Sequence, residues 1–435
     1  MDQVVIASLV LLTVVLFLLA SGVWVALSLL CASIVTLILF TPAPAGSLLA
    51  STMWDASWNW ALTALPLFVW MGEILFRTKM SQDMFSGLAP WVNALPGRLL
   101  HVNVLSCGIM AAVSGSSAVT AATVGRMSMP ELAKRGYNEK MMIGSLAGSG
   151  TLGLLIPPSI VMIVYGVTAQ QSVARLFIAG VVPGLLLVVL FMGFVAAWAM
   201  LNPGRMPAAE PSMRLGERIW NSRRLFPVVL LIMLVIGSIY GGYATPTEAA
   251  VVGVVGSLIL AAAGRTLTLA TFMESLMAAT RTSCMIAFII ASAACLTIAV
   301  GFVDIPRVLS SWVDSMELSA TALIVVLGIF ILIMGCFLEG ISIIVLSASV
   351  MLPMVQAAGI DLIWFGIFIT ILIEAAQITP PVGFNLYVLQ ALSGRDIWQV
   401  TLATMPFFGL LMVLLVMITA FPEIVTFLPS QMNPR

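Results

Sequence analysis

The chain has 435 residues, 61% of them hydrophobic and only 8% charged, with 18 basic and 18 acidic side chains in balance. Charged residues make up about a quarter of a soluble domain, so this composition excludes a soluble enzyme or binding module and makes a lipid bilayer the solvent. Five cysteines without paired spacing (Cys31, Cys107, Cys284, Cys295, Cys336) and the single His101 exclude a disulfide framework and a transition-metal cluster.

An apolar run of about 20 residues is needed to cross a hydrocarbon core of about 30 Å, and the chain holds many such runs. Ordinary spans are predicted at 4–20, 22–40 and 57–77. The first has only Asp2 before it and lacks the basic segment of a cleaved signal, so it reads as a retained span. Region 99–130 differs: two apolar arms, each too short to cross alone, flank Ser114-Gly115-Ser116-Ser117. Such a break leaves backbone groups unpaired and suits the buried tip of a re-entrant hairpin. An interrupted span follows at 141–168, with Gly148-Ser149-Gly150-Thr151 and Pro157-Pro158 inside it, where proline removes a helix donor and glycine loosens the backbone. A further span is predicted at 173–200, then a basic linker at 206–223 carrying Arg214, Arg218 and Arg223, with a helix lying on the membrane surface.

The second half repeats the plan. Spans are predicted at 224–242, 246–264 and 282–303, and a second hairpin at 321–356 around Gly335-Cys336-Phe337-Leu338-Glu339-Gly340. A second broken span covers 361–391 with Ile378-Thr379-Pro380-Pro381-Val382-Gly383, and a last span covers 397–421. Thr245-Pro246-Thr247-Glu248 has the form of a helix start, so Glu248 is read as a cap.

The prolines expose a duplication: Pro130, Pro157, Pro158 and Pro183 recur as Pro353, Pro380, Pro381 and Pro406, each 223 positions later, and the same offset lays Ser116 on Glu339. The expected fold is therefore all-α and polytopic, with repeats at 1–205 and 224–435. A hairpin returns to its starting side, so each half crosses five times, and an odd number inverts the second half relative to the first. This layout puts 15 basic residues on one side, including Arg77, Lys79, Arg98, Lys140, Arg224 and Arg395, against Arg175, Arg307 and Arg435 on the other. By the positive-inside rule the first side is cytoplasmic, and both termini are expected outside.

A hard cation such as sodium wants several oxygens, and carbonyls freed at a helix break supply them without burying net charge. Two candidate sodium sites follow: Ser114, Gly115, Ser116 and Ser117 with Gly148, Ser149, Thr151 and Gly153; and Gly335, Glu339 and Gly340 with Thr379, Gly383 and Asn385. Against this stands packing alone, in which Gly144 and Gly148 let helices approach and serines bond back to their own carbonyls. Glu339 and Glu374 are the acids predicted deep in the membrane, where ionisable groups are costly enough to be functional by default. With Ser116, Pro157 and Pro380 they are candidates for substrate binding or coupling; the structural alternative makes Glu339 a hairpin cap and Glu374 a lock on its own helix break. Half-helix N-termini at the midplane favour an anion such as a carboxylate.

The stretches Ser114 to Gly125, Gly148 to Ser159 and Ile378 to Asn385, with Gly136-Tyr137 after the first hairpin and Gly359-Ile360-Asp361 after the second, together resemble the large permease subunit of TRAP (tripartite ATP-independent periplasmic) transporters. The resemblance covers nearly the whole chain. It implies a bacterial inner-membrane protein that works with a small four-helix membrane subunit and a periplasmic substrate-binding protein, importing an organic acid on a sodium gradient by an elevator-like movement. It implies neither ATP nor nucleic acid. One departure is Glu374-Ala375-Ala376-Gln377, where a glycine-containing stretch is expected.

Two other readings remain open on the residues alone. A stand-alone sodium-coupled carboxylate carrier shares hairpins but needs no binding protein. A membrane-embedded hydrolase would use Ser106 with His101 as base, yet no helical zinc motif, serine elbow or nucleotide-binding loop stands in a fitting context.

Overall fold

The computed structural model describes all residues except 1, 79, 209–212, 224, 316–318, 381–382 and 433–435, and the side chains of these and of Asp2, Ser81, Leu309, Ser310, Trp312, Val313, Asp314 and Ser349 are left aside. Lys79, Arg224, Arg435, Pro381 and Val382, all used in the sequence reading, lie outside the described residues. Every regular element among those described is helical, and six helices are long and apolar enough to cross a membrane, or up to nine if each bent pair is one span.

The first half opens with α1 (Asp2–Ala20), α2 (Val25–Phe40) and α3 (Ala45–Ser57). A 3-10 turn (Trp60–Thr63) then leads into α4 (Ala64–Phe76), bent 56° from α3, and α5 (Met80–Val92) follows. The hairpin arms are α6 (Leu100–Ser114) and α7 (Ser117–Lys134). The first broken span is α8 (Glu139–Gly150), a single turn α9 (Leu152–Leu155) and α10 (Ile160–Thr168), with a cis Pro157–Pro158 bond between the last two. Helix α11 (Val173–Leu201) follows, and a helix, α12 (Leu215–Ser222), falls within the expected linker 206–223.

The second half contains α13 (Phe226–Tyr240), α14 (Pro246–Ala263), α15 (Leu269–Phe302), α16 (Ile305–Ser315), hairpin arms α17 (Ala320–Gly335) and α18 (Gly340–Ala357), the broken span α19 (Leu362–Gln377) and α20 (Phe384–Ser393), then α21 (Ile397–Ala420) and α22 (Glu423–Ser430). The offset of 223 holds element by element. Ser117 opens α7 and Gly340 opens α18; Asn138 caps α8 by accepting from the Met141 N–H, and Asp361 caps α19 by accepting from the Trp364 N–H. Gly136 and Gly359, at φ 76° and 70°, supply the left-handed turn before each broken span, a conformation that costs glycine least.

The boundaries of ordinary spans depart from expectation in two places. The run at 57–77 begins as a 3-10 turn after a separate helix, α3, whereas its counterpart at 282–303 is the second part of one 34-residue helix, α15. Ser57-Trp58-Asn59 interrupts the first; Asn59 instead caps the turn through its side chain. Helices α5, α16 and α22 were not predicted. They carry polar residues such as Gln82, Asp83, Arg307 and Glu423 among the apolar ones, so a search for apolar runs passes over them.

Contacts between the halves are exchanged in pairs. Helix α2 packs on α15 while α14 packs on α4; α7 packs on α20 while α18 packs on α10; α8 packs on α21 while α19 packs on α11. Reciprocal contacts between counterparts are what a twofold relation between two halves produces. In its most apolar stretch the first broken span is 89% buried, against 11% for α1, so the broken spans form the centre and α1 the rim. Gly144 and Gly148 allow α8 to touch α21: a Cβ on Gly144 would stand 2.2 Å from the Ala403 carbonyl oxygen, and one on Gly148 2.4 Å from the Phe407 ring. These two glycines serve close packing.

Polar contacts tie down the linker. Trp91 of α5 donates its indole N–H to Ser222 (2.6 Å), Ser222 donates to the Gly87 carbonyl (3.0 Å), and Arg98 bonds the Pro207 carbonyl. A net hydrogen bond contributes about 1 kcal/mol, so Ser222→Ala is expected to free α12 from α5 and speed proteolytic cleavage at 203–223 while leaving the global unfolding midpoint near wild type. Glu248 accepts from the Thr245 N–H (2.8 Å) and receives its cap in return, which is the capping role read from the sequence.

Candidate functional site

The tip of the first hairpin is tight. Only Gly115, left-handed at φ 58°, and Ser116 separate α6 from α7. Ser114 holds the turn together, its hydroxyl 2.7 Å from that of Thr120, 3.2 Å from the Ser116 carbonyl and 3.3 Å from the Ser116 N–H. The tip is seated in the first break. A Cβ on Gly153 would meet the Ser116 carbonyl carbon and oxygen and the Ser117 Cα, each at 2.6 Å, and one on Gly115 would stand 3.0 Å from the Pro158 carbonyl oxygen. Gly153 is therefore the seat on which the hairpin backbone rests.

Ser149 and Thr151 turn inward on their own helix, donating to the Ser145 and Gly148 carbonyls, both at 2.5 Å. Ser117 does the opposite. It donates to Glu374 Oε1 (2.5 Å), and the Leu154 backbone N–H donates to the same oxygen (2.7 Å). Glu374 is wholly buried, and its Oε2 has no hydrogen-bond partner among the described residues. The carboxylate that lies beside the second break in sequence thus joins the first hairpin tip and the first break in space, and the expected lock on its own break is not what it does.

The second tip is looser, with Cys336 to Glu339 between its arms. Glu339 stands at the N-cap position of α18 and is half-buried, but its side chain makes no cap bond, so the structural role read for it as a hairpin cap is not what the geometry shows. A Cβ on Gly335 would lie 2.3 Å from Ala376 Cβ, and one on Gly340 would meet Ile373, Gln377 and Val161, the last from the other half. At the break, Thr379 donates to the Ala375 carbonyl (2.7 Å) and Gly383 is left-handed at φ 39°. Pro380 is partly buried beside it. Asn385, in the first turn of α20, is completely buried, and neither its oxygen nor its nitrogen has a partner among the described residues. A buried amide left so is rare and calls for a ligand or water.

The structure brings together Ser114, Ser116, Ser117, Gly153 and Glu374; it directs Gly148 to packing, and Ser149 and Thr151 to their own carbonyls. The sequence reading missed Thr120 and the Leu154 N–H. Thr120 carried a faint signal as a hydroxyl one turn into the second arm, but a backbone N–H carries none. His101 Nε2 is bonded to the Pro96 carbonyl oxygen (2.6 Å), and the Ser106 hydroxyl has no partner. No bond joins this pair, as a nucleophile and its base would require. Among the described residues no cluster of three or more His, Cys, Asp or Glu side chains could hold a transition metal.

The family described as tripartite ATP-independent periplasmic transporter, DctM component, matches residues 12–424. The C4-dicarboxylate TRAP transporter large permease protein DctM of Pseudomonas aeruginosa is 35% identical over 91% of this chain and 92% of its own length. The isethionate TRAP transporter permease protein DctMQ of Oleidesulfovibrio alaskensis is 28% identical over 85% of this chain and 58% of its own. In fold, the crystal structure of the Alcanivorax borkumensis YdaH transporter superposes with a TM-score of 0.64 at 11% identity, covering 87% of this chain and 88% of the other. A match across almost the entire length, together with a fold shared with a transporter, means that the chain belongs to the tripartite ATP-independent periplasmic transporter family as its DctM component, a polytopic membrane permease rather than an enzyme.

Proposed function

We propose that this protein is the large membrane subunit of a sodium-coupled, binding-protein-dependent importer of an organic acid, working by an elevator movement. The observation that carries the reading is the exchanged pair of hairpin and broken-helix modules, each with a completely buried polar side chain left open at its break: Glu374 at the first and Asn385 at the second. A dehydrated carboxylate oxygen and amide suit a hard monovalent cation. Hairpins and broken spans (α6–α10 and α17–α20) form the moving body; α2, α4, α14 and α15, which pack on one another, form the scaffold. The repeats are 1–205 and 224–435, joined by the linker 206–223 and inverted about an axis in the membrane plane. The protein sits in the bacterial inner membrane with both termini periplasmic.

Partners follow from the family's three-part design. A small four-helix membrane subunit and a periplasmic binding protein complete the system, and the fused relative named DctMQ supports the first. The relatives' names, C4-dicarboxylate and isethionate, support a small organic anion, with the binding protein making the first selection. The test is reconstitution in liposomes with the small subunit, measuring labelled succinate or isethionate uptake with and without an inward sodium gradient and a cognate binding protein. Uptake needing both supports the proposal. Sodium-driven uptake without binding protein would instead make the chain a stand-alone carrier, and uptake indifferent to sodium would end the coupling.

A further inference from the structure

We propose that Glu374 is a direct ligand, through Oε2, of the coupling cation at the first hairpin, so that the second half of the chain supplies a charged ligand to the first half's site. This rests on the sodium-coupled reading and assigns one atom within it.

Three observations meet at this residue. The carboxylate is completely buried, with Oε1 held in two directions, by the Ser117 hydroxyl at 2.5 Å and the Leu154 N–H at 2.7 Å. Those bonds fix the plane of the group against the hairpin tip and the broken helix at once. Among the described residues Oε2 is left with no donor, and a charged oxygen in a dry interior is costly unless a cation or a proton donor faces it. The surroundings offer hydroxyl and carbonyl oxygens at the same tip: Ser117 O lies 3.6 Å from the Cβ position of Gly150, and the Ser116 carbonyl rests on Gly153. Sodium prefers such a set of oxygens.

The duplication makes the assignment sharper. Thr151 stands 223 positions before Glu374, and its hydroxyl turns back to the Gly148 carbonyl. Thr151 therefore makes no reciprocal reach from the first half into the second, and the two cation sites are chemically unequal. The first has the completely buried Glu374 carboxylate, and the second has the completely buried but neutral Asn385 amide, with the Glu339 carboxylate only half-buried at its tip. A completely buried carboxylate attracts a cation more strongly than a half-buried one, so the first site should fill first, and its filling would pin α19 to the first hairpin tip through the same side chain.

The experiment uses the full chain purified with its small subunit, measuring the thermal midpoint during sodium titration against choline, since a ligand that binds only the folded state stabilises it by RT ln(1 + c/Kd) at free concentration c, and the midpoint begins to rise near that site's Kd. Wild type is expected to show two steps, each an onset at which the midpoint rises more steeply with the logarithm of sodium concentration. Glu374→Gln, which keeps shape and an acceptor, is expected to remove the tighter step or weaken it at least about tenfold, the factor that about 1.4 kcal/mol of ligand energy provides, with the midpoint in choline little changed. Glu374→Asp keeps the charge but withdraws the oxygen and should weaken the step less; Ser117→Ala removes a positioning bond and should weaken it least. If Glu374→Gln does not fold, the order of the Asp and Ala variants decides, and a Glu374→Asp titration equal to wild type overturns the proposal. An unaltered tighter step in folded Glu374→Gln overturns it as well, and assigns the carboxylate to structure alone. A wild-type midpoint that ignores sodium overturns the sodium-coupled reading itself, and this assignment with it.

Discussion

Gly153→Ala is expected to reduce uptake in the reconstituted system to background while the protein still reaches the membrane. The added methyl would stand 2.6 Å from the Ser116 carbonyl carbon, its oxygen and the Ser117 Cα. All three are backbone atoms, so no flexible side chain can yield, and the hairpin tip must lift from the break. Overpacking of this kind costs about 1–3 kcal/mol, enough to lower the unfolding midpoint measurably. It also separates Ser117 from Glu374, which breaks the contact between halves. Gly108→Ala is the control, because on the same hairpin its nearest neighbour would lie at 3.7 Å, ordinary van der Waals distance. Wild-type uptake by Gly153→Ala would show that the tip does not need its seat.

Asn385→Leu is expected to act in the opposite sense on stability and in the same sense on transport. Leucine has nearly the shape of asparagine, and burying an amide without partners costs about 1–3 kcal/mol by mutational measure. Removing that amide from a completely buried position should raise the unfolding midpoint in choline, while uptake falls to background because the second break has lost its open oxygen. Stability gained at the expense of activity is the usual mark of a binding group. A lower midpoint with uptake retained would place Asn385 in packing and remove it from the second site.

Much of the architecture was legible because a membrane restricts the choices. Composition determined the solvent, apolar length determined most spans, and the proline offset revealed a duplication that the hairpin arms and the starts of the broken spans follow. Breaks could be read because glycine and proline act locally, on the residue's own backbone. Caps could be read for the same reason, as at Thr245 and Glu248. The short helices α5 and α16 escaped because their mixed faces have no run of apolar residues to detect.

Side-chain partners at the site were a different matter. Ser114, Ser116 and Ser117 were visible as a polar break in an apolar hairpin, but nothing in their spacing said that Ser114 would close the turn while Ser117 faced outward. Ser149 and Thr151 looked equivalent to them as ligands and instead bond their own helix, since a buried hydroxyl takes the nearest carbonyl when one stands a turn away. Glu374 was marked as costly and read as a coupling group or as a lock on its own break, and neither reading named the first hairpin as its partner. The sequence by itself determined the bilayer, the helices, the two hairpins and their duplication, because each depends on composition or on local backbone chemistry. Only the tertiary structure decided that Glu374 crosses 257 positions to Ser117 and 220 to Leu154, because hydrogen-bond pairing across a fold depends on which faces the packing brings within 3 Å, and that is a property of the assembled halves and not of either one.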